Sequence, residues 1–153
     1  MQRSDAFERL LWSIALPGFG QLLNQRFLKG LLLVVLEFVI NVQARLNLVI
    51  VASFQGDMTK AVDATDYQWL MFYPCLYLFA IWDAYKDAGG GDGVKFASLP
   101  FVFSAYIGTI GVIYSSTFRI GGALLGPVFL PILGLVVGAL VGQALKRVLV
   151  KMM

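Results

Sequence analysis

GLLLVVLEFVINVQARLNLVIVASF, residues 30–54, is apolar enough to cross a bilayer, yet it carries Glu37, Asn41 and Arg45 at intervals of four. At helical spacing these three side chains share one face, each a turn above the last. A continuous helix over the stretch measures about 37 Å, more than the roughly 30 Å hydrocarbon core. Counted from Gly30, Glu37 lies ~10 Å in and Arg45 ~22 Å in. Ionisable groups at such depth are expensive and turn toward protein or water. Two turns separate the charges, so their partners are expected elsewhere: Asn41 between them, Ser104, Thr109, or a tyrosine of a neighbouring span. One reading is a path for an ion, proton or headgroup. The favoured reading is a polar cluster that fixes helix packing, with Arg45 snorkelling outward beside Gln43 and Asn47, or with 41–47 forming an interfacial break.

The rest of the chain makes the bilayer the expected solvent. Hydrophobic residues are 59% of the 153 and charged residues 14%, with a mean hydropathy of +0.78. A water-soluble chain of this length cannot cover so much apolar surface. The net charge of +3 and pI near 9.1 do not point to nucleic acid, because the basic residues flank apolar runs as topology signals and lipid contacts. With no His and one Cys, a multi-ligand His/Cys metal site and an internal disulfide are excluded. Cys75, in an aromatic run, is expected as a buried small hydrophobe. No cofactor is implied.

In chain order, residues 1–12 read as an amphipathic helix, with apolar positions at Phe7, Leu10, Leu11 and Ile14. Leu10 to Leu23 is too short for an ordinary span and is broken by Pro17-Gly18-Phe19-Gly20, so residues 1–26 read as a re-entrant or interfacial helix pair. No small-residue cleavage site follows, and no cleavable signal is expected. Four spans are expected, at about 30–54, 67–85, 97–118 and 120–145. Pro74 is expected to kink the second, and Pro127 and Pro131 to bend the fourth. Trp69 and Trp82, ~20 Å apart along a helix, suit opposite aromatic belts. Gly89–Gly93 reads as a linker, since no Gly-Lys-Ser/Thr follows to make a phosphate loop. The fold class is thus an all-α membrane bundle forming a single domain over 1–153.

Charge asymmetry orients it. With both termini cytoplasmic, nine Lys/Arg residues lie inside, only Lys60 and Arg119 lie outside, and Arg45 sits within a span. Gly122, Gly126, Gly134, Gly138 and Gly142 form a four-residue ladder. Ser104, Gly108, Gly111 and Ser115 form a second small face on the third span. The two faces are expected to pack on each other, with homo-oligomerisation as the alternative. Asp83 and Asp87, four apart beside Lys86, read as interfacial charge. No nucleophile–base pair accompanies them, so no enzyme is expected.

Leu16 to Gly30, with Pro17-Gly18-Phe19-Gly20-Gln21-Leu22-Leu23-Asn24 at its heart, resembles the segment before the first apolar helix of many small, uncharacterised bacterial multi-pass membrane proteins. These are loosely similar to the "TM-two" domain proteins. Tyr67-Gln68-Trp69 and Trp82-Asp83-Ala84-Tyr85 fit the same resemblance, which covers residues 10–88 and implies no activity. Read physically, Pro17 and Gly18 stop a half-helix and Gly20 permits close packing. Gln21, Asn24 and Gln25 are then expected to bond backbone freed by the turn, with Arg26 and Lys29 held at the headgroups. The expected function is a non-enzymatic multi-pass protein of the bacterial plasma membrane, working through lipid or helix contacts in an accessory, assembly or stress-related role. Its partners would be membrane lipids, a second copy or another membrane protein. The alternative is a small ion, proton or solute transporter or channel using Glu37, Asn41 and Arg45.

Overall fold

The structure, a computed structural model, describes residues 2–152 and is all-α apart from one small hairpin. A helix pair, α1 (Gln2–Ala15) and α2 (Phe19–Leu23), comes first. Then come α3 (Phe27–Gln43), α4 (Leu46–Phe54), α5 (Met58–Ala64), α6 (Tyr67–Leu70) and α7 (Tyr73–Asp87). After a loop come α8 (Leu99–Tyr114), the hairpin strands β1 (Arg119–Ile120) and β2 (Ala123–Leu124), and α9 (Gly126–Lys151).

The expected spans are redrawn in three places. Residues 30–54 are not one helix: α3 stops at Gln43, Arg45 takes a left-handed φ of 54°, and α4 leaves at a bend of 62°. Residues 67–85 are likewise broken, and Pro74 does not kink a helix interior but starts one, in the first turn of α7. Its missing N–H is harmless there, where no intrahelical acceptor is needed. The short α6 is nucleated separately, with Asp66 Oδ1 accepting from the Gln68 and Trp69 amides at 3.0 and 3.3 Å. Residue 120 does not open the last helix. Gly121 and Gly122, with φ of 58° and 87°, close a two-residue turn that pairs Ile120 with Ala123, the backbone a tight hairpin requires. Gly122 therefore leaves the glycine ladder.

Among the described residues, α9 alone is long and apolar enough to cross a membrane by itself, and α3 with α4 passes as a bent pair. Four spans of ordinary length are thus not what the helices present. Only 22% of the most apolar stretch of α9 is buried, with Leu140 66% exposed, and Phe38 on α3 is 69% exposed. Large apolar side chains thus face outward along these helices. Cys75, expected inside, is exposed on the outer face of α7 and approaches Thr109 Oγ1 at 3.6 Å.

The tightest packing joins α8 and α9, and it runs through the glycines. A Cβ on Gly134 would lie 2.7 Å from the Ile107 carbonyl oxygen, and one on Gly142 would lie 2.5 Å from that of Leu99. One on Gly138 would collide with the Phe103 carbonyl oxygen. Gly111 meets Pro131 in the same way, Gly108 meets the Leu135 side chain, and the Ser104 hydroxyl donates to the Leu135 carbonyl at 2.7 Å. The small faces meet within the chain, backbone against backbone. Gly138→Leu should therefore force α8 and α9 apart and cost about 1–3 kcal/mol, read as a lowered thermal midpoint in detergent. The outward-facing Val137→Leu should leave it unchanged, and equal midpoints for both variants would refute the packing.

Candidate functional site

Two constellations place the residues singled out in the sequence. The first is a polar clamp around the Pro-Gly turn. Gly18 has φ 102°, and a Cβ there would lie 2.5 Å from the Gly30 carbonyl oxygen, so the turn backbone lies directly on α3. Gly20 is equally confined, facing Ser13, the Arg9 carbonyl and Ala84. Gln21 is fully buried and Nε2 donates to the Ala80 carbonyl at 2.8 Å and to Asp83 Oδ2 at 3.1 Å. Asn24 Nδ2 donates to the Ala84 carbonyl at 2.8 Å. These amides do not cap their own turn, as the sequence suggested; they dock α2 along α7, where Ala80 and Ala84 leave room. Asp83 and Asp87 are not loose surface charge either. Lys29 Nζ meets them at 2.8 and 3.3 Å, and Arg26 Nε approaches Asp87 at 3.4 Å. At the polar end of α3, the hydrogen bond to Asp83 holds the Lys29 ammonium above the ordinary lysine range.

The second constellation contains Glu37 without its expected companions. Glu37 is only 8% exposed, and Tyr73 Oη donates to its Oε1 at 3.0 Å. Its Oε2 is buried without a hydrogen-bond partner, and among the described residues no cation pairs with it. Tyr77 stacks on Tyr73 with ring centroids 5.7 Å apart and donates to the Ile14 carbonyl at 2.7 Å. Asn41 is half-buried one turn on, and Arg45 is exposed at the helix break, where it lines a shallow basin with Asp63 and Asp66. The stripe is thus divided. Arg45 is exposed beside Asp63 and Asp66, and of the three only Glu37 is buried.

Glu37, Tyr73 and Tyr77 line a cavity of about 290 Å³ among α1, α3, α4, α6, α7, α8 and α9. Pro17, Pro74, Pro127 and Pro131, all buried, also line it. Every other lining side chain is aliphatic. The sequence flagged Glu37 and offered Asn41, Ser104, Thr109 or a tyrosine of the second or third span as its partner, but not Tyr73 and Tyr77 in particular. Their spacing of four, one turn apart beside Pro74, was the available signal.

No family model matches the chain, and neither a curated protein nor a solved structure matches it.

Replacing Gln21 with Met removes two donated hydrogen bonds while keeping length, and should cost about 1–3 kcal/mol. Gln21→Glu should cost more, because a carboxylate would then face the Ala80 carbonyl and Asp83. Unfolding in mixed micelles orders the two variants, and a harmless Gln21→Glu would contradict the clamp.

Proposed function

We propose that the chain is a non-enzymatic multi-pass protein of the bacterial plasma membrane, acting through contacts with lipids and other membrane proteins in an accessory, assembly or stress-related role. The observation that carries this reading is the outward apolar surface of α3, α8 and α9 set between two polar ends. Four segments cross: α3 with α4, α6 with α7, α8, and α9. The α1–α2 pair is re-entrant. In support, the α1 tip reaches Tyr77, about 15 Å from the end of α7. Arg9, Arg26, Lys29, Lys86, Lys95, Lys146, Arg147 and Lys151 belong to the end taken as cytoplasmic, and Lys60 and Arg119 to the other. Kinship with the TM-two-like proteins fits the meeting of Gln21 with Asp83 and of Asn24 with Ala84, two motifs distant in sequence. The partners proposed are membrane lipids and a second copy or another membrane protein, met through faces other than the occupied glycine ladder.

Single cysteines test the topology in a Cys75→Ser background. Lys60→Cys should react with a membrane-impermeant maleimide in intact cells, whereas Lys95→Cys should react only after permeabilisation. Labelling of both from the same side would overturn the four-span reading.

The transport reading keeps one specific support, the unpaired Glu37 at the cavity. Asn41 and Arg45 do not line it, so any path rests on Glu37 alone. A transporter should move protons or cations in proteoliposomes, with flux abolished in Glu37→Gln. Wild-type protein without flux ends that reading.

A further inference from the structure

We infer that the Glu37 cavity is a binding site for a small organic ammonium ion with an apolar body, reached sideways from the bilayer. Three features of the site converge on that chemistry. First, the carboxyl has one oxygen held by the Tyr73 hydroxyl and the other unpartnered, in a residue more than nine-tenths buried. A buried carboxylate left in this state lacks the counter-charge that ordinarily accompanies it. Second, both neighbouring hydroxyls spend their donors within the protein, Tyr73 on Glu37 and Tyr77 on Ile14. What the wall still offers is an acceptor, which selects a ligand bearing positive charge or donors. Third, the two tyrosine rings stack at an interplanar angle of 17° beside that acceptor. An anion next to aromatic rings in an apolar chamber is the chemistry that recognises substituted ammonium groups.

Size and access agree. The volume of about 290 Å³ lies at the lower end of small-ligand sites, roughly 300–1,000 Å³. Among the lining residues, Ile14, Ile50 and Ile132 are 45%, 36% and 50% exposed. These aliphatic side chains form the rim, so the chamber opens on the apolar flank and not at a charged end. A ligand with an apolar body reaches it from the lipid, and its cationic group settles against Glu37. The membrane reading above enters only through this route; the complementarity of the chamber does not depend on the number of spans or their orientation.

The test uses the full chain in nanodiscs of phosphatidylcholine, a zwitterionic lipid that does not itself concentrate cations. Radiolabelled benzyltrimethylammonium should bind saturably, at one site per chain. Glu37→Gln, nearly isosteric, should weaken it by about tenfold or more, while the surface change Glu8→Gln leaves it unaltered. Neopentylbenzene, the neutral isostere, should fail to displace it. Ile132→Trp, a change at a half-exposed rim position, should block binding with an unchanged circular dichroism spectrum. This variant and the isostere competition on wild-type protein keep the test decisive should Glu37→Gln fold poorly. Absence of saturable binding, full affinity in Glu37→Gln, or displacement by neopentylbenzene as effective as by unlabelled cation would each overturn the assignment. The cysteine-labelling result is independent of all of these.

Discussion

The docking of α2 on α7 sets the geometry of everything around it. Two side-chain amides, Gln21 and Asn24, reach carbonyls one turn apart on α7, at Ala80 and Ala84. Gln21 also reaches Asp83, so the helix pair cannot slide along α7 without losing all three bonds at once. That fixes how deep the Pro-Gly turn sits, and with it the position of Ile14, Ala15 and Pro17 at the cavity wall. It also brings α3 into register, since Gly18 rests on Gly30 and Lys29 then faces Asp83 and Asp87. In an apolar surrounding such bonds have no competing water, and leaving either partner unpaired costs more than in an aqueous protein.

A second constraint is the matched height of the helices. α3, α7 and α8 have 17, 15 and 16 residues, which corresponds to about 23–26 Å each. α9 is longer, but its glycine face engages α8 only from Pro131 to Gly142, where it meets Leu99. The residues beyond carry Lys146, Arg147 and Lys151. The apolar layer is therefore thinner than a 26-residue helix implies. This is why α9 alone reaches an ordinary spanning length while its neighbours fall just short. In the proposed arrangement α4 and α6 complete the two broken spans and the bilayer thins locally at α8; the cost of such mismatch is small per ångström.

How legible this was in the sequence depended on whether a feature is written in residue type or in backbone conformation. The all-α class, the N-terminal helix pair and the pairing of two small-residue faces follow from composition and periodicity, but two expected spans are each two helices and the last helix lies six residues further on, at Gly126–Lys151 in place of 120–145. A break at 41–47 was open as one reading of the sequence, but its 62° angle was not readable. It depends on Arg45 adopting a left-handed φ, a conformation disfavoured for a side chain of this kind and stabilised only by its surroundings. Pro74 was ambiguous for a different reason, because proline ends one helix and begins the next with equal ease; the Asp66 cap eight residues earlier decided it. Gly121-Gly122 was legible and passed over: two adjacent glycines between Ile120 and Ala123 signal a tight hairpin. For the site, Glu37 stood out because a carboxyl in an apolar run is rare. Asn41 and Arg45 stood out for the same reason, but a helix-face argument holds only while the helix is continuous.

The division of that stripe bears on how charge is tolerated here. Arg45 escapes burial through the break, which places it in an open basin with Asp63 and Asp66. Glu37 has no such exit. It sits mid-helix on α3, its single hydrogen bond coming from Tyr73. A buried carboxyl with one orphaned oxygen destabilises a fold relative to a well-packed apolar residue of similar volume. Packing alone would be better served by a methionine or leucine at this position. Tyr73 and Tyr77 sharpen the point, since two phenols in one apolar wall carry the same kind of cost unless their hydroxyls are engaged, and both are. The cluster is internally ordered up to one unsatisfied atom, Oε2 of Glu37. An arrangement that settles every donor and leaves one acceptor beside a void is accounted for more economically as half of an interaction than as glue between helices.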